Sequence, residues 1–353
     1  MAAAKRVSFA SYNLFNLNLP NLPMYRNTKG WDTETYNRKV EWSSDIVKTL
    51  DSDVWGFQEL WHRDALEDVF AKARLKSAYD LMIPKGTTGQ GIVCAAAVRK
   101  GLLTGTPEWI VDFPENMILQ SGGDDEQTSQ IDVNVSTFSR PVLRFEVKPR
   151  SNGKAVVVFV AHLKSKLPTA VYKSHPWYKK SIHGDHSTAL GAAISTIRRT
   201  AEAAALRWFM TEEMKKSTTP VVVLGDLNDG QHSNTLNILT EQPGYLFGSS
   251  TGGSDNGLYT ASTLQEYRSL RDVYYTHIFK NKHESLDHIL VSEQFYDHST
   301  KREWRFVDMD IYNDHLNDDD HKVSGTGDHG IVKATFQYSK AKINKKKKRA
   351  SVT

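Results

Sequence analysis

The run PVVVLGDLNDGQ, Pro220 to Gln231, constrains the fold more than any other stretch of this 353-residue chain. Val221, Val222, Val223 and Leu224 are apolar without alternation, and Pro220 and Gly225 bound them. A short β-branched run of this kind reads as a strand covered on both faces, because a strand with one wet face alternates. The strand then delivers Asp226 and Asn228, two positions apart, at its tip. Period-2 alternation points both the same way as the chain leaves the sheet. Asp, Asn and Gly also build ordinary turns, so the rest of the chain must decide between a turn and a site.

Strand-like runs recur at Val7–Asn13, Val54–Gln58, Ile92–Val98, Val142–Val147, Val156–Ala161, His288–Val291 and Ile331–Phe336. Helical periodicity over 34–50 sets Tyr36, Val40, Val47 and Leu50 on one face. Over 188–214 it does the same for Leu190, Ile194, Ile197, Ala201, Ala204 and Trp208, which leaves Arg198, Arg199 and Glu202 on the outer face. Strands outnumber helices and short turns join many of them. The expectation is an α/β (α+β) fold of mixed sheets with helices outside, in one domain over residues 1–338. Residues 114–137, 164–187 and 308–328 fit no element and read as long loops.

Composition narrows the class. No window approaches the ~18 consecutive apolar residues of a membrane span, and MAAAKRVSF carries no apolar signal-peptide core. The only cysteine, Cys94, excludes an internal disulfide and reads as a small buried hydrophobe. These features favour an intracellular setting. From Lys340 onward there are seven Lys or Arg and no acid, whereas residues 1–339 carry a net charge of −3. The 339–353 tail is therefore expected to be disordered and polyanion-seeking, or a nuclear signal in a eukaryote.

Six apolar segments end in chemistry. Asn13 closes one, Gln58 and Glu59 another, His162 with Lys164 and Lys166 a third, and Asp226 with Asn228 the fourth. Asp287 opens a strand, and Asp328 with His329 precedes one. An unpaired buried carboxylate is costly, so ends of this kind make sense when they converge and satisfy one another and a bound cation. Carboxylate and amide oxygens without a Cys cluster suit a hard ion such as Mg²⁺, with Mn²⁺ as substitute. Zinc motifs, a Ser-nucleophile elbow and a P-loop are all missing from the sequence. The 308–328 stretch concentrates Asp308, Asp310, Asp314, His315, Asp318, Asp319, Asp320 and His321. A second, structural Ca²⁺ site is one reading of it; a solvated acidic loop is the other, since the spacing matches no EF-hand. His175, His183, Asp185 and His186 also invite a metal reading, beside that of a substrate loop.

Asn13, QE at 58–59, SRP at 139–141, HLKSK at 162–166, GDLND at 225–229, LDHIL at 286–290 and GDHG at 327–330 stand in a familiar order. With them the chain resembles the endonuclease/exonuclease/phosphatase superfamily over about residues 5–338. That group contains deoxyribonuclease I, abasic-site endonucleases, inositol polyphosphate phosphatases and neutral sphingomyelinases. The HLKSK form is most similar to bacterial nuclease-type members. The resemblance implies a four-layer sandwich, two packed mixed β-sheets flanked by helices, with one site at the strand ends. It implies Glu59 as the principal Mg²⁺ ligand, with Asn13 and Asp328 beside it. It further implies that Asp226 aligns or deprotonates water, that Asn228 holds the phosphate, and that His162 and the Asp287-oriented His329 flank it. Arg140, Lys164 and Lys166 would contact substrate. The deoxyribonuclease branch pairs its first histidine with a glutamate, whereas GIVCAAAV at 91–98 offers none. His162 is then expected to find another partner or to stay neutral.

The leading expectation is a metal-dependent phosphodiesterase acting on nucleic acid, DNA first. In the 164–187 loop, Lys173, Lys179 and Lys180 interleave with Tyr172, Trp177 and Tyr178, which suits phosphates and stacked bases. A phosphatase or lipid phosphodiesterase with the same site is the alternative. Against the inositol type, Gly230 and Gln231 follow GDLND; against the sphingomyelinase type, no apolar inserting hairpin is present. A nucleic-acid-binding pseudoenzyme is the third reading, and it would require a missing ligand.

Overall fold

The computed structural model describes residues 5–25, 28–122, 129–171, 176–243, 257–269 and 275–341. In chain order these form β1 (Arg6–Leu17), α1 (Thr33–Leu50), β2 (Val54–His62), α2 (Arg63–Lys72), β3 (Tyr79–Met82), β4 (Thr88–Arg99), β5 (Leu103–Asp112), β6 (Thr137–Val147) and β7 (Val156–His162). There follow α3 (Lys180–His183), α4 (Ser187–Met214), β8 (Val221–Asp226), α5 (Asn234–Thr240), β9 (Leu258–Thr260) and α6 (Ala261–Glu266). The chain ends in β10 (His277–Phe279), β11 (Lys282–Glu284), β12 (Asp287–Ser292), β13 (Trp304–Tyr312) and β14 (Ile331–Tyr338). One six-stranded sheet runs β13-β14-β1-β2-β4-β3 and the other β5-β6-β7-β8-β12-β9, while β10 and β11 make a separate hairpin. Only β1/β2 and β7/β8 pair in parallel, so both sheets are mixed.

The double cover read from VVVL is present residue by residue. Val222 and Leu224 belong to the core between the sheets, with Phe9, Val54, Ala96, Val158, Val160, Ile289 and Ala334. Val221 and Val223 face the other way, into a core shared with Ala205, Leu206 and Met210 of α4 and with Leu236 and Leu239 of α5. On the far side, Ala10, Tyr12, Trp55 and Phe57 pack under α1 and α2. The layers are helix, sheet, sheet, helix, as expected. Among the described residues no helix is long and apolar enough to cross a membrane.

Helix α1 starts where Asp32 accepts a 2.7 Å hydrogen bond from the Thr35 N–H, and it stops at Asp51, which takes a left-handed conformation (φ 42°). Its expected face, Tyr36, Val40, Val47 and Leu50, is buried. Helix α4 departs from expectation. Leu190, Ile194, Ile197 and Trp208 stand 40 to 48 % exposed, while Arg199 and Glu202 are buried and Ala201 alone of the expected stripe is buried. The helix turns its charged residues inward because partners wait there: Arg199 pairs with Asp229 at 3.3 Å, and Glu202 accepts backbone N–H groups. Hydrogen-bonded burial of charge has displaced the simple apolar stripe.

The 308–328 stretch is likewise no plain loop, since its start completes β13, whose Asp308 to Tyr312 pair with β14. Among the described residues its acids and histidines do not gather three ligand atoms, so the Ca²⁺ reading finds no cluster there, and neither do His183, Asp185 and His186. Tyr172, Lys173, His175, residues 123–128 and the tail from Lys342 lie outside the described residues. Cys94 is buried and free.

Gly225 pairs with Ala161 in the β7/β8 register, and a Cβ built on it would lie 2.2 Å from the Ala161 carbonyl oxygen. We therefore expect Gly225→Ala to lower stability by about 1–3 kcal/mol, measured as a shift in the urea midpoint. An unchanged midpoint would show that the strand end relaxes freely.

Candidate active site

Strand parity builds the site. In β8 the inner-facing series is Val222, Leu224 and then Asp226; in β7 it is Val158, Val160 and then His162. In β1, Val7 and Phe9 lead to Ser11 and Asn13, and in β12 Ile289 and Val291 place Asp287 on the same face. Where the sandwich opens, the inner face therefore changes from apolar to polar. Register then sets neighbours, since His162 and Asp287 both pair with Asp226. Glu59 breaks the rule. Val54, Gly56 and Gln58 hold the inner parity of β2, so Glu59 belongs outside. A register shift between Phe57 and Leu60, with φ of 60° at Glu59, turns it into the cleft.

Asp226 is the hub. Its Oδ1 accepts from the Asn228 N–H at 2.9 Å and its Oδ2 from the Asn13 amide at 3.0 Å. His162 Nε2 lies 3.4 Å and His329 Nε2 3.8 Å from Oδ2. Burial raises the Asp226 carboxyl above the usual range, the His329 charge opposes this, and Asp287 and Glu59 add to the rise. His329 Nδ1 donates to Asp287 Oδ2 at 2.8 Å. Burial alone would discharge that imidazole, but Asp287 and Asp226 more than reverse it and hold it well above its ordinary value. His162 goes the opposite way: burial first, then Arg140 and His329, push it well below its ordinary value. Its Nδ1 is buried without a partner, and no acid from β4 replaces the missing glutamate. Two imidazoles whose basicities are shifted in opposite directions thus flank one carboxylate.

Glu59 and Asp328 face a cleft of about 430 Å³, lined also by Arg140, His162, Asp226, Asn228 and His329. Glu59 Oε2 accepts from the Asn16 N–H at 3.1 Å; burial and then Asp328 raise its carboxyl. Two oxygen-donor acids at one open cleft, one of them raised by the charge of the other, fit a hard divalent cation. Asn13 as placed offers its amide nitrogen to Asp226 and its oxygen to the Phe15 N–H at 3.0 Å, so it orients Asp226. Asn228, at φ 54°, donates to the Leu163 carbonyl at 3.0 Å.

The basic residues separate. Arg140 lines the cleft and donates to the Leu163 carbonyl at 3.1 Å. Lys166 lines it too, held by Glu284 at 3.1 Å and Asp229 at 3.4 Å. Lys164 is not brought to the cleft; its ammonium turns back to Ser165 and to the Leu167 carbonyl.

The sequence reading missed several residues. Lys39 is buried on α1, where its ammonium donates to the Thr326 carbonyl at 3.1 Å. Burial pulls that ammonium down to about 8 against the attraction of Asp328 and Glu59. His277 lines the cleft, brought down to about 4 by burial and then by the charge of His329. Glu202 accepts from the Ser139 N–H (2.8 Å), the Ser139 hydroxyl (2.5 Å) and the Lys164 N–H (2.7 Å). It thereby ties α4 to the segments bearing Arg140 and His162. An acid set in AEAAAL was the available signal, hidden by its i,i+4 relation to Arg198.

A sequence profile of the Endonuclease/Exonuclease/phosphatase family matches residues 10–329, and the chain belongs to that family, whose members are metal-dependent phosphoric ester hydrolases. No curated protein sequence matches it. Among solved structures, truncated TDP2 from Caenorhabditis elegans is similar at 16 % identity and TM-score 0.54, covering 94 % of this chain and 98 % of its own. The human Nocturnin catalytic domain with bound sulfate matches at 12 % identity and TM-score 0.54, covering 96 % and 97 %. The mannosyl-6-phosphatase Bt3783 of Bacteroides thetaiotaomicron matches at 14 % and 0.51, covering 94 % and 100 %. At these identities the likeness is one of fold.

Removing Glu202 takes the shared acceptor from the Ser139 and Lys164 N–H groups beside the site. Glu202→Ala should cost about 1–3 kcal/mol of stability and lower kcat/KM on a nitrophenyl phosphodiester. Glu202→Gln should recover part of both, because its amide oxygen still accepts. Wild-type values for the alanine variant in urea unfolding and in that assay would remove the positioning role.

Proposed function

We propose that this chain is a Mg²⁺-dependent phosphodiesterase that cuts nucleic acid, DNA in the first instance, by in-line attack of water on the phosphate. The observation that carries the reading is Asp226 set between His162 and His329, at 3.4 and 3.8 Å, in a cleft lined also by Glu59 and Asp328. Raised basicity suits Asp226 to align water and take its proton. His329, fixed by Asp287, carries a proton that opposes the charge growing on the phosphate or reaches the leaving oxygen. Neutral His162 supplies a hydrogen bond rather than a strong acid. Asn228 holds a phosphate oxygen, and Arg140 and Lys166 the flanking charge. Lys166 must exchange Glu284 for substrate. A divalent cation on Glu59 and Asp328 would neutralise phosphate oxygen charge and help fix the ester in place.

A phosphatase is the second reading, because a cleft of about 430 Å³ is the size of a small-molecule site. The fold likeness to a mannosyl-6-phosphatase is consistent with it. Residues 1–338 are read as a single catalytic domain.

Supercoiled plasmid should be relaxed or degraded with Mg²⁺, spared with EDTA, and spared by Asp226→Asn, whose rate should fall at least about 10²-fold. Intact plasmid from folded wild-type protein would overturn the DNA reading, and release of inorganic phosphate from sugar phosphates would then establish the phosphatase. The pH dependence follows from the sign of the His329 shift. A raised value keeps the imidazolium charged to higher pH, and activity that needs it is lost as pH climbs through that value. Asp287→Asn removes the larger carboxylate influence, so the alkaline limb of the kcat/KM profile should move toward neutrality. An alkaline limb that stays in place would separate it from His329.

A further inference from the structure

We propose that His277, Asp328 and His329 form a second cation position, selective for zinc over magnesium and inhibitory when filled. His277 opens β10, on the hairpin that borders the cleft, while Asp328 and His329 come from the turn before β14. One ligand atom from each lies within 4.8 Å of the other two, and the imidazole centroids of His277 and His329 are 5.0 Å apart. Asp287 occupies Nδ1 of His329, which leaves Nε2; its neighbour Asp226 Oδ2, at 3.8 Å, is beyond hydrogen-bonding distance. His277 Nδ1 is buried without a partner.

Two imidazoles and one carboxylate with a fourth direction open to the cleft make a tetrahedral donor set of the zinc kind. The oxygen-only pair Glu59 and Asp328 suits Mg²⁺, which demands octahedral oxygen geometry. Asp328 stands in both sets, so it would be shared between neighbouring ions. Filling the second position engages Nε2 of His329, with release of any proton it carries. Inhibition rests on the proposed function, which needs that nitrogen; the binding does not.

The test is Zn²⁺ affinity in saturating Mg²⁺, read by competition with a chromogenic chelator, together with the visible spectrum of the Co²⁺-substituted protein. Wild type should take up one Zn²⁺ and show the d–d bands of imidazole-bound Co²⁺. His277→Ala and His277→Asn should each weaken Zn²⁺ by at least about tenfold and alter the Co²⁺ bands. Glu59→Gln should keep both signals. Wild-type affinity in either His277 variant overturns the site, as does loss of zinc in Glu59→Gln. In the hydrolysis assay zinc should inhibit wild type at concentrations that spare His277→Asn, and equal inhibition would overturn the inhibitory role. Zinc binding as expected in a protein that hydrolyses no phosphoester would leave this site standing and remove the proposed function instead.

Discussion

Everything at the active end of this molecule depends on the contact between the inner faces of the two sheets. Val160 and Leu224 of one sheet meet β2 of the other at Gly56, where a Cβ would come within 2.9 Å of Leu224 Cβ. That closeness fixes how the two sheets sit on one another, and strand parity does the rest. Each inner-facing series continues past the last apolar pair into the gap where water enters. A residue there is neither fully buried in hydrocarbon nor free, so a polar group survives only if it has partners. Asp226 has an amide and a backbone N–H for partners with two imidazoles alongside, and it joins both sheets through Asn13. The site is the sandwich's own edge, satisfied.

Charge explains why the edge holds. Asp328 adds to the raised Glu59 carboxyl, and Asp287 and Glu59 add to that of Asp226, because like charges so placed oppose ionisation. The protein counters with His329 inside the group, Arg140 at the cleft wall and Lys39 behind it. Lys39 also lies 5.1 Å from the ring centres of both Phe15 and Trp31. Its hydrogen bond to Thr326 ties α1 to the turn that carries Asp328 and His329, so one buried cation serves both electrostatics and position.

Much of this was legible in the chain and some was not, for physical reasons. The covered strands and the strand-end polar groups follow from runs such as VVVL, because period-2 geometry leaves little choice about where side chains go, whereas the four layers were implied by the family resemblance. Glu59 was legible as a residue but not as a direction, since a bulge with positive φ overrides parity and leaves no mark in composition. Helix α4 misled because periodicity registers apolar side chains and not hydrogen-bond partners. Its Ile194 and Ile197 face outward while Arg199 and Glu202, paired with backbone and Asp229, face in. His277 was hidden in a three-residue strand, too short for any period.

That last class of residue differs from the others in what positions it. Residues set by sheet register, such as Asp226, Asp287 and His162, are positioned by the whole sandwich and can hardly move without unfolding it. Residues on the hairpin β10–β11 are paired in a ladder of only three residues with three, outside both large sheets. His277, Phe279 and Glu284 all line the cleft, and Glu284 already holds Lys166 across its mouth. The floor of the cleft is thus set by sheet register and part of its rim by a short hairpin, so that rim lies in the segment that sequence periodicity reads least well.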